Sequence, residues 1–138
     1  MNYNLRHLSD QEVLSGLSRA VKRSNEATVD LLLHLGEADA RELYLAQGCS
    51  TMFVYCLERL HLSEGATYKR IKAARTARNF PVVLDMIGRS ELHLSGLMLL
   101  APLLTEENHL EVLGRGKHRS KREIEVLVAE LQPRPDAH

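Results

Sequence analysis

Hydrophobic positions recur along this chain three and four residues apart, almost from end to end. Ser9-Asp-Gln-Glu12 is a capping box, and Val13, Leu14, Leu17, Ala20 and Val21 follow it at helical spacing. Beyond Ser24-Asn25 the run resumes with Ala27, Leu31, Leu32, Leu35, Ala38 and Leu45. The pattern predicts a long N-terminal helical segment over 9–47, either one bent helix or a pair, closed at Gln47-Gly48. Ser50 is expected to cap a short helix over 51–60. His61-Leu62 then reads as a turn, and Ser63-Glu64 opens a helix running to Asn79. Pro81 stops that helix and suits the first turn of another, over 82–87, which Gly88 ends. Further helices are predicted over 95–104, with Pro102 near the end, and over 105–114. A second capping box, Ser120-Lys-Arg-Glu123, precedes Ile124, Leu127, Val128 and Leu131. No segment alternates strictly with β-branched residues, so strands are not expected.

The fold class is therefore all-α. One multi-helix bundle is expected over 1–133, made of the long segment 9–47, a helix-turn-helix-like segment 50–80, and short helices plus the capped last helix over 81–131. Pro133 and Pro135 are expected to end the order, leaving 134–138 as a disordered tail. Aromatic residues make up 4% of the chain and Trp is missing, so the core must be aliphatic. A length of 138 residues suffices for such a core without disulfides or a metal. Cys49 and Cys56, about two helical turns apart, read as small buried thiols of a reducing compartment. No apolar run approaches the ~20 residues of a membrane span, so the expected location is cytoplasmic, away from membranes.

Chemistry is hard to find in this sequence. The histidines stand at 7, 34, 61, 93, 109, 118 and 138, with no His-x-x-x-His or His/Cys spacing suited to a metal. His34, among leucines, is expected in the core or at its boundary. Gly114-Arg-Gly116 is too sparse to cradle phosphate, and Glu106-Glu107 at a helix start is explained by the helix dipole. The expectation is no catalytic residue, no metal or other cofactor, and no small-molecule substrate.

Charge changes the picture. The formal net charge is zero, but residues 1–58 carry 5 basic and 8 acidic side chains, whereas 59–80 carry 6 and 1. Residues 81–113 carry 1 and 5, and 114–138 carry 6 and 4. On a helical wheel of 63–80, Lys69, Lys72, Arg75 and Arg78 are expected to form an i, i+3 stripe on one side, facing out, with Tyr68, Thr76 and Asn79 among them. Ala66, Ile71, Ala73, Ala74, Ala77 and Phe80 fill most of the other side, with Arg70 inside their arc and so expected to pair with an acid or to snorkel. A short helix, a tight turn and a second helix give helix-turn-helix order, in which the second helix meets the major groove with its first residues near base edges. Here those residues are Glu64, Gly65, Thr67 and Tyr68, with the basic series further along for phosphates. The second basic island, Arg115, Lys117, Arg119, Lys121 and Arg122, places cations at a helix start, against the dipole, which a polyanionic partner would explain. Both islands are equally consistent with solvated surface. The Leu31-Leu-Leu33 run with Leu35 is wider than one core stripe needs and favours a protein-interaction or dimerisation module instead.

The wording of the chain also resembles a known group. Leu33-His-Leu-Gly-Glu37, Ala40-Arg41, Gly48-Cys-Ser-Thr-Met-Phe-Val-Tyr-Cys56, His61-Leu-Ser-Glu64, Ala73-Ala-Arg75 and Phe80-Pro81 carry the first part of the likeness. Leu92-His-Leu94, Leu99-Leu-Ala-Pro102, Thr105-Glu-Glu-Asn-His109 and Lys117-His-Arg-Ser-Lys-Arg-Glu123 carry the rest. Together these segments resemble the N-terminal helical region of bacterial HNH-endonuclease proteins, across nearly the whole chain. Leu62-Ser63, the basic helix, Phe80-Pro81, Leu94-Ser95 and Ser120-Lys-Arg-Glu-Ile124 more loosely resemble the helix-turn-helix region of ParB-type partition proteins. The first resemblance implies a part that positions a nuclease on DNA. The cleaving residues of that group lie in a separate C-terminal module with a His-Asn-His metal site, and nothing here matches it. The chain is thus expected to be a fragment, or a relative without the nuclease, that binds DNA and does no chemistry, with a homodimer or a nuclease as its possible protein partners.

Overall fold

The computed structural model describes residues 3–132, and the expected tail at 134–138 with its flanking Pro133 lies outside them. The described residues form an all-helical bundle with no strand. Its helices are α1 (Asp10–Ala40), α2 (Met52–Glu58), α3 (Glu64–Asn79), α4 (Val82–Gly88), α5 (Leu94–Leu100), α6 (His109–Gly116) and α7 (Lys121–Leu131). The long N-terminal segment is one helix of 31 residues, about 46 Å at 1.5 Å per residue, followed by a turn and a short 3₁₀ stretch at Leu45–Gln47. Both capping boxes form: Ser9 accepts from the amide of Glu12 and Ser120 from that of Glu123, while each glutamate returns the bond to its serine's amide.

Several boundaries differ from expectation for local reasons. Thr51, not Ser50, caps α2, its hydroxyl accepting from the Val54 amide at 3.0 Å. α5 gives way to a 3₁₀ turn at Ala101–Leu103, where Pro102 has no amide hydrogen to continue an α-helix. The Thr105 turn closes on itself, as Thr105 and Asn108 exchange side-chain and backbone bonds, and regular helix begins only at His109. α6 runs two residues past its expected end, because Gly116 is where it meets Leu100.

The helix α3 is the hub, packing against α1, α2, α4 and α5. Its buried positions are Thr67, Ile71, Ala73, Ala74 and Ala77, and three alanines among five let neighbouring helices approach closely. Around it gather Leu32 and Leu35 of α1, Met52 and Cys56 of α2, Val83, Met86 and Ile87 of α4, and Leu97 and Leu100 of α5. α7 completes the core with Ile124 and Leu127, α6 with Val112 and Leu113. As the composition requires, no aromatic ring is fully buried; Phe53, Phe80, Tyr44 and Tyr55 pack around the rim. The thiols of Cys49 and Cys56 are free and buried, but Cys49 lies in the loop before α2, so the two do not share a helix face. Burial first, and the Asp39 carboxylate second, raise the pKa of Cys56 and keep it a neutral thiol.

His34 corrects an expectation. It stands two residues from Leu32, about 200° around the helix, and its side chain is 78% exposed beside Asp30. Four of the six links between consecutive helices turn on a residue with left-handed backbone that is not glycine: Glu42, His61, Ser90 and His118, with φ of 51°, 58°, 61° and 60°.

Where α5 crosses α7 there is no room for a side chain on α5. A Cβ on Gly96 would lie 2.6 Å from Ile124 Cδ1 and 3.0 Å from His93 Cε1, and one on Gly116 would lie 2.8 Å from Leu100 Cδ1. Gly65 and Gly114 have open space at the same position. Gly96→Ala should therefore destabilise the protein by about 1–3 kcal/mol through overpacking, whereas Gly114→Ala should stabilise it by about 0.5–1 kcal/mol through helix propensity. Urea melts read both, and equal midpoints for the two variants would refute the packing at Gly96.

Candidate nucleic-acid interface

The four cations of α3 do not share one face. Each step of three residues turns the helix by 300°, so an i, i+3 series drifts back by 60° per step and its first and fourth members point opposite ways. Lys69 and Arg78 accordingly meet different neighbours. Lys69 Nζ donates to Ser95 Oγ at the start of α5, at 3.2 Å. Lys72 lies over the Tyr68 ring, 5.8 Å from its centroid. Arg75 forks onto Asp39 of α1, with Nε at 2.8 Å from Oδ2 and the terminal nitrogen at 3.0 Å from Oδ1. Arg78 reaches Glu37 of α1 at 3.4 Å, its stem lying 3.5 Å from where a Gly36 Cβ would stand.

The two arginines therefore tie α3 to α1 and are already neutralised. Hydrogen bonding from Arg75 is the first cause of the lowered pKa of Asp39, and that bond in turn raises the pKa of Arg75. Glu37 is held down chiefly by Arg41, then by Arg78. Arg70, expected to pair with an acid or to snorkel, is half-buried and bonds to its own helix at the Ala66 carbonyl.

Thr67 is a second correction. It was expected near base edges, yet it is fully buried, its hydroxyl without a hydrogen-bond partner among the described residues, because it lies one turn before Ile71 and two before Ala74 on the core-facing side. Tyr68, next to it, is exposed with Glu64 and Gly65 at the start of α3.

The second island divides in the same way. Arg115 meets Glu130 at 3.5 Å, Lys117 meets Glu91 at 3.1 Å and Arg119 meets Glu123 at 3.3 Å. Lys121 and Arg122 in the first turn of α7 are exposed and make no ion pair with the described residues. Two residues not singled out from the sequence join the islands. His93 caps α5, its Nδ1 accepting from the Gly96 amide at 2.9 Å, while its Nε2 lies 3.2 Å from the carbonyl of Arg119. The ring must then be neutral with the proton on Nε2, donating to that carbonyl. Ser95, two residues on, receives Lys69. The start of α5 thus gathers Lys69 of α3 and the cap segment of α7, which lie some fifty residues apart in the chain. A single-sequence reading had only the Leu92-His-Leu94-Ser95 motif as a signal here, and a histidine as helix cap is not a common code.

Among the described residues no three His, Cys, Asp or Glu side chains converge to hold a metal ion, and no helix is long and apolar enough to cross a membrane. No protein-family model, characterised protein or solved structure matches this chain.

The Asp39–Arg75 fork sets a pH dependence. The carboxyl pKa is lower in the folded protein than its ordinary value of 3.8, so the fork's stabilisation is complete above that value and is lost as pH falls through the folded pKa. Asp39→Asn should cost about 1 kcal/mol at neutral pH, an amount reduced by the exposure of Arg75. The gap between wild type and variant should close in acid. Thermal melts at neutral pH and at a series of values falling well below 3.8 test this, and a gap of constant size throughout would refute it.

Proposed function

We propose that this chain is a non-catalytic DNA-binding domain whose phosphate-contacting face lies around the start of α5. Lys69 flanks it from α3, and Lys121 and Arg122 from the first turn of α7, while Lys72 extends it past Tyr68 toward α2. The observation that supports this reading is the joining of two basic islands, distant in sequence, through Ser95 and His93, while their acidic neighbours Glu91 and Glu123 are occupied by Lys117 and Arg119. Cations left without acidic partners at one place on a chain of zero net charge fit a polyanionic partner.

In this reading α2 and α3 supply the helix-turn-helix order, and Tyr68 with the start of α3 lies toward the bases. Arg75 and Arg78 hold α3 in place, and Arg115 adds only peripheral charge. The likeness to the N-terminal region of HNH-endonuclease proteins agrees with the targeting part of such a nuclease, or a relative lacking one. A second reading, an interaction or dimerisation module, is favoured by the apolar residues that the first half of α1 leaves exposed.

Fluorescence anisotropy with a labelled random duplex tests the first reading. Four neutralised phosphates predict a slope of log affinity against log salt of about −3.6, measured between about 50 and 200 mM. Replacing Lys69, Lys72, Lys121 and Arg122 by Ala should abolish this binding, and replacing Arg75 and Arg78 should leave it salt-sensitive. No binding by the wild type at the lower salt would overturn the reading.

A further inference from the structure

Tyr68, Ile71, Lys72 and Arg75 stand at i, i+3, i+4 and i+7 of α3 and so share one face of that helix. The face turns toward the start of α2, and between the two lies an open cleft of about 670 Å³. That volume falls within the roughly 300–1,000 Å³ of sites that take small organic groups. Met52 and Ile71 are its buried lining, Phe53 is half-buried, and Tyr68 is 59% exposed.

Two features of this cleft bear on what it takes. It is aromatic: in a chain with four tyrosines and two phenylalanines, one of each lines it. It is also free of acid. None of the residues lining it carries a carboxylate, and Lys72, which makes no ion pair among the described residues, holds its ammonium 5.8 Å from the centre of the Tyr68 ring. Arg75 at the rim is held by Asp39 and adds no net charge. An exposed ring beside a single positive charge, over an apolar lining, matches a nucleobase and the phosphate attached to it. Stacking uses the face of a base, and in a closed duplex both faces are covered by the neighbouring pairs. Only a base that has left the stack can lie on Tyr68.

Within the DNA-binding reading, on which this inference rests, we propose that the α2–α3 cleft receives one unpaired base. The base stacks on Tyr68 against the apolar lining, and Lys72 meets the adjoining phosphate. Lys69, one turn earlier on α3, continues the path of the strand toward Ser95 and the start of α5. The domain therefore prefers DNA that is locally unpaired to closed duplex.

Anisotropy of the full chain with two labelled duplexes of one sequence, one intact and one carrying a single bulged base, tests this. The bulged duplex should bind about tenfold more tightly, and 2-aminopurine placed at the bulge should lose fluorescence as it stacks. Tyr68→Ala should remove both effects while salt-sensitive binding of the intact duplex persists. Tyr68→Phe should keep both, since the ring and not the hydroxyl does the stacking. Tyr68 is exposed, so neither variant disturbs the core. Equal wild-type affinity for the two duplexes, or a preference for the bulge that survives Tyr68→Ala, would overturn the inference and leave the DNA-binding reading standing. No binding of either duplex would overturn both.

Discussion

The close approach of α1 to α3 is the contact on which the remaining structure depends. A core without large aromatic rings has to be filled by bringing backbones together, and Ala73, Ala74 and Ala77 make this possible on the hub helix, with Gly36 opposite. Small side chains at the contact leave α3 little surface of its own. Its long polar residues must leave along the seams, where they meet whatever the neighbouring helix presents. On the α1 side this is Glu37 and Asp39; on the α5 side it is the hydroxyl of Ser95. The packing constraint therefore decides which cations are consumed and which stay available. It does so through geometry, not charge.

This explains what could be seen in the sequence. Caps and breakers are written within a single turn of chain, and Ser9, Ser63, Pro81 and Ser120 act where their neighbours say they should. The aliphatic composition likewise announced a core of Leu, Ile, Val, Met and Ala. Which face of a helix meets which partner is not local information. The basic series on α3 looked like a stripe because its 60° drift per step is small over two residues and large over four. Thr67 was assigned to solvent from its place near a helix start, but four helices converge on α3 and bury it. His34 is an error of the same kind, and the exposed half of α1 shows the cause, since periodicity shows that a face is apolar without showing that anything covers it.

The electrostatics of the surface are correspondingly selective. Of the eleven cations in the two islands, five are bound by carboxylates on α1, α7 or the loop before α5, and Arg59 and Arg70 by backbone carbonyls. These pairs are exposed, at least in part, and contribute little each, but they remove charge from places where an anion would otherwise be drawn. What remains lies on α3, as Lys69 and the half-buried Lys72, and in the first turn of α7, as Lys121 and Arg122. A neutral molecule can present a cationic site in this way without the solubility and self-repulsion problems of a basic one.

The left-handed joints at His61, Ser90 and His118 turn links of five residues or fewer, Glu42 begins the longer link after α1, and all four side chains are exposed. Each such residue carries about 1–2 kcal/mol of backbone strain, partly offset because glycine in its place would lose about 0.5–1 kcal/mol more on ordering. The bundle thus holds a small reserve of unrealised stability in its exposed corners, outside the core. Evolution or design could draw on it one joint at a time without moving a helix.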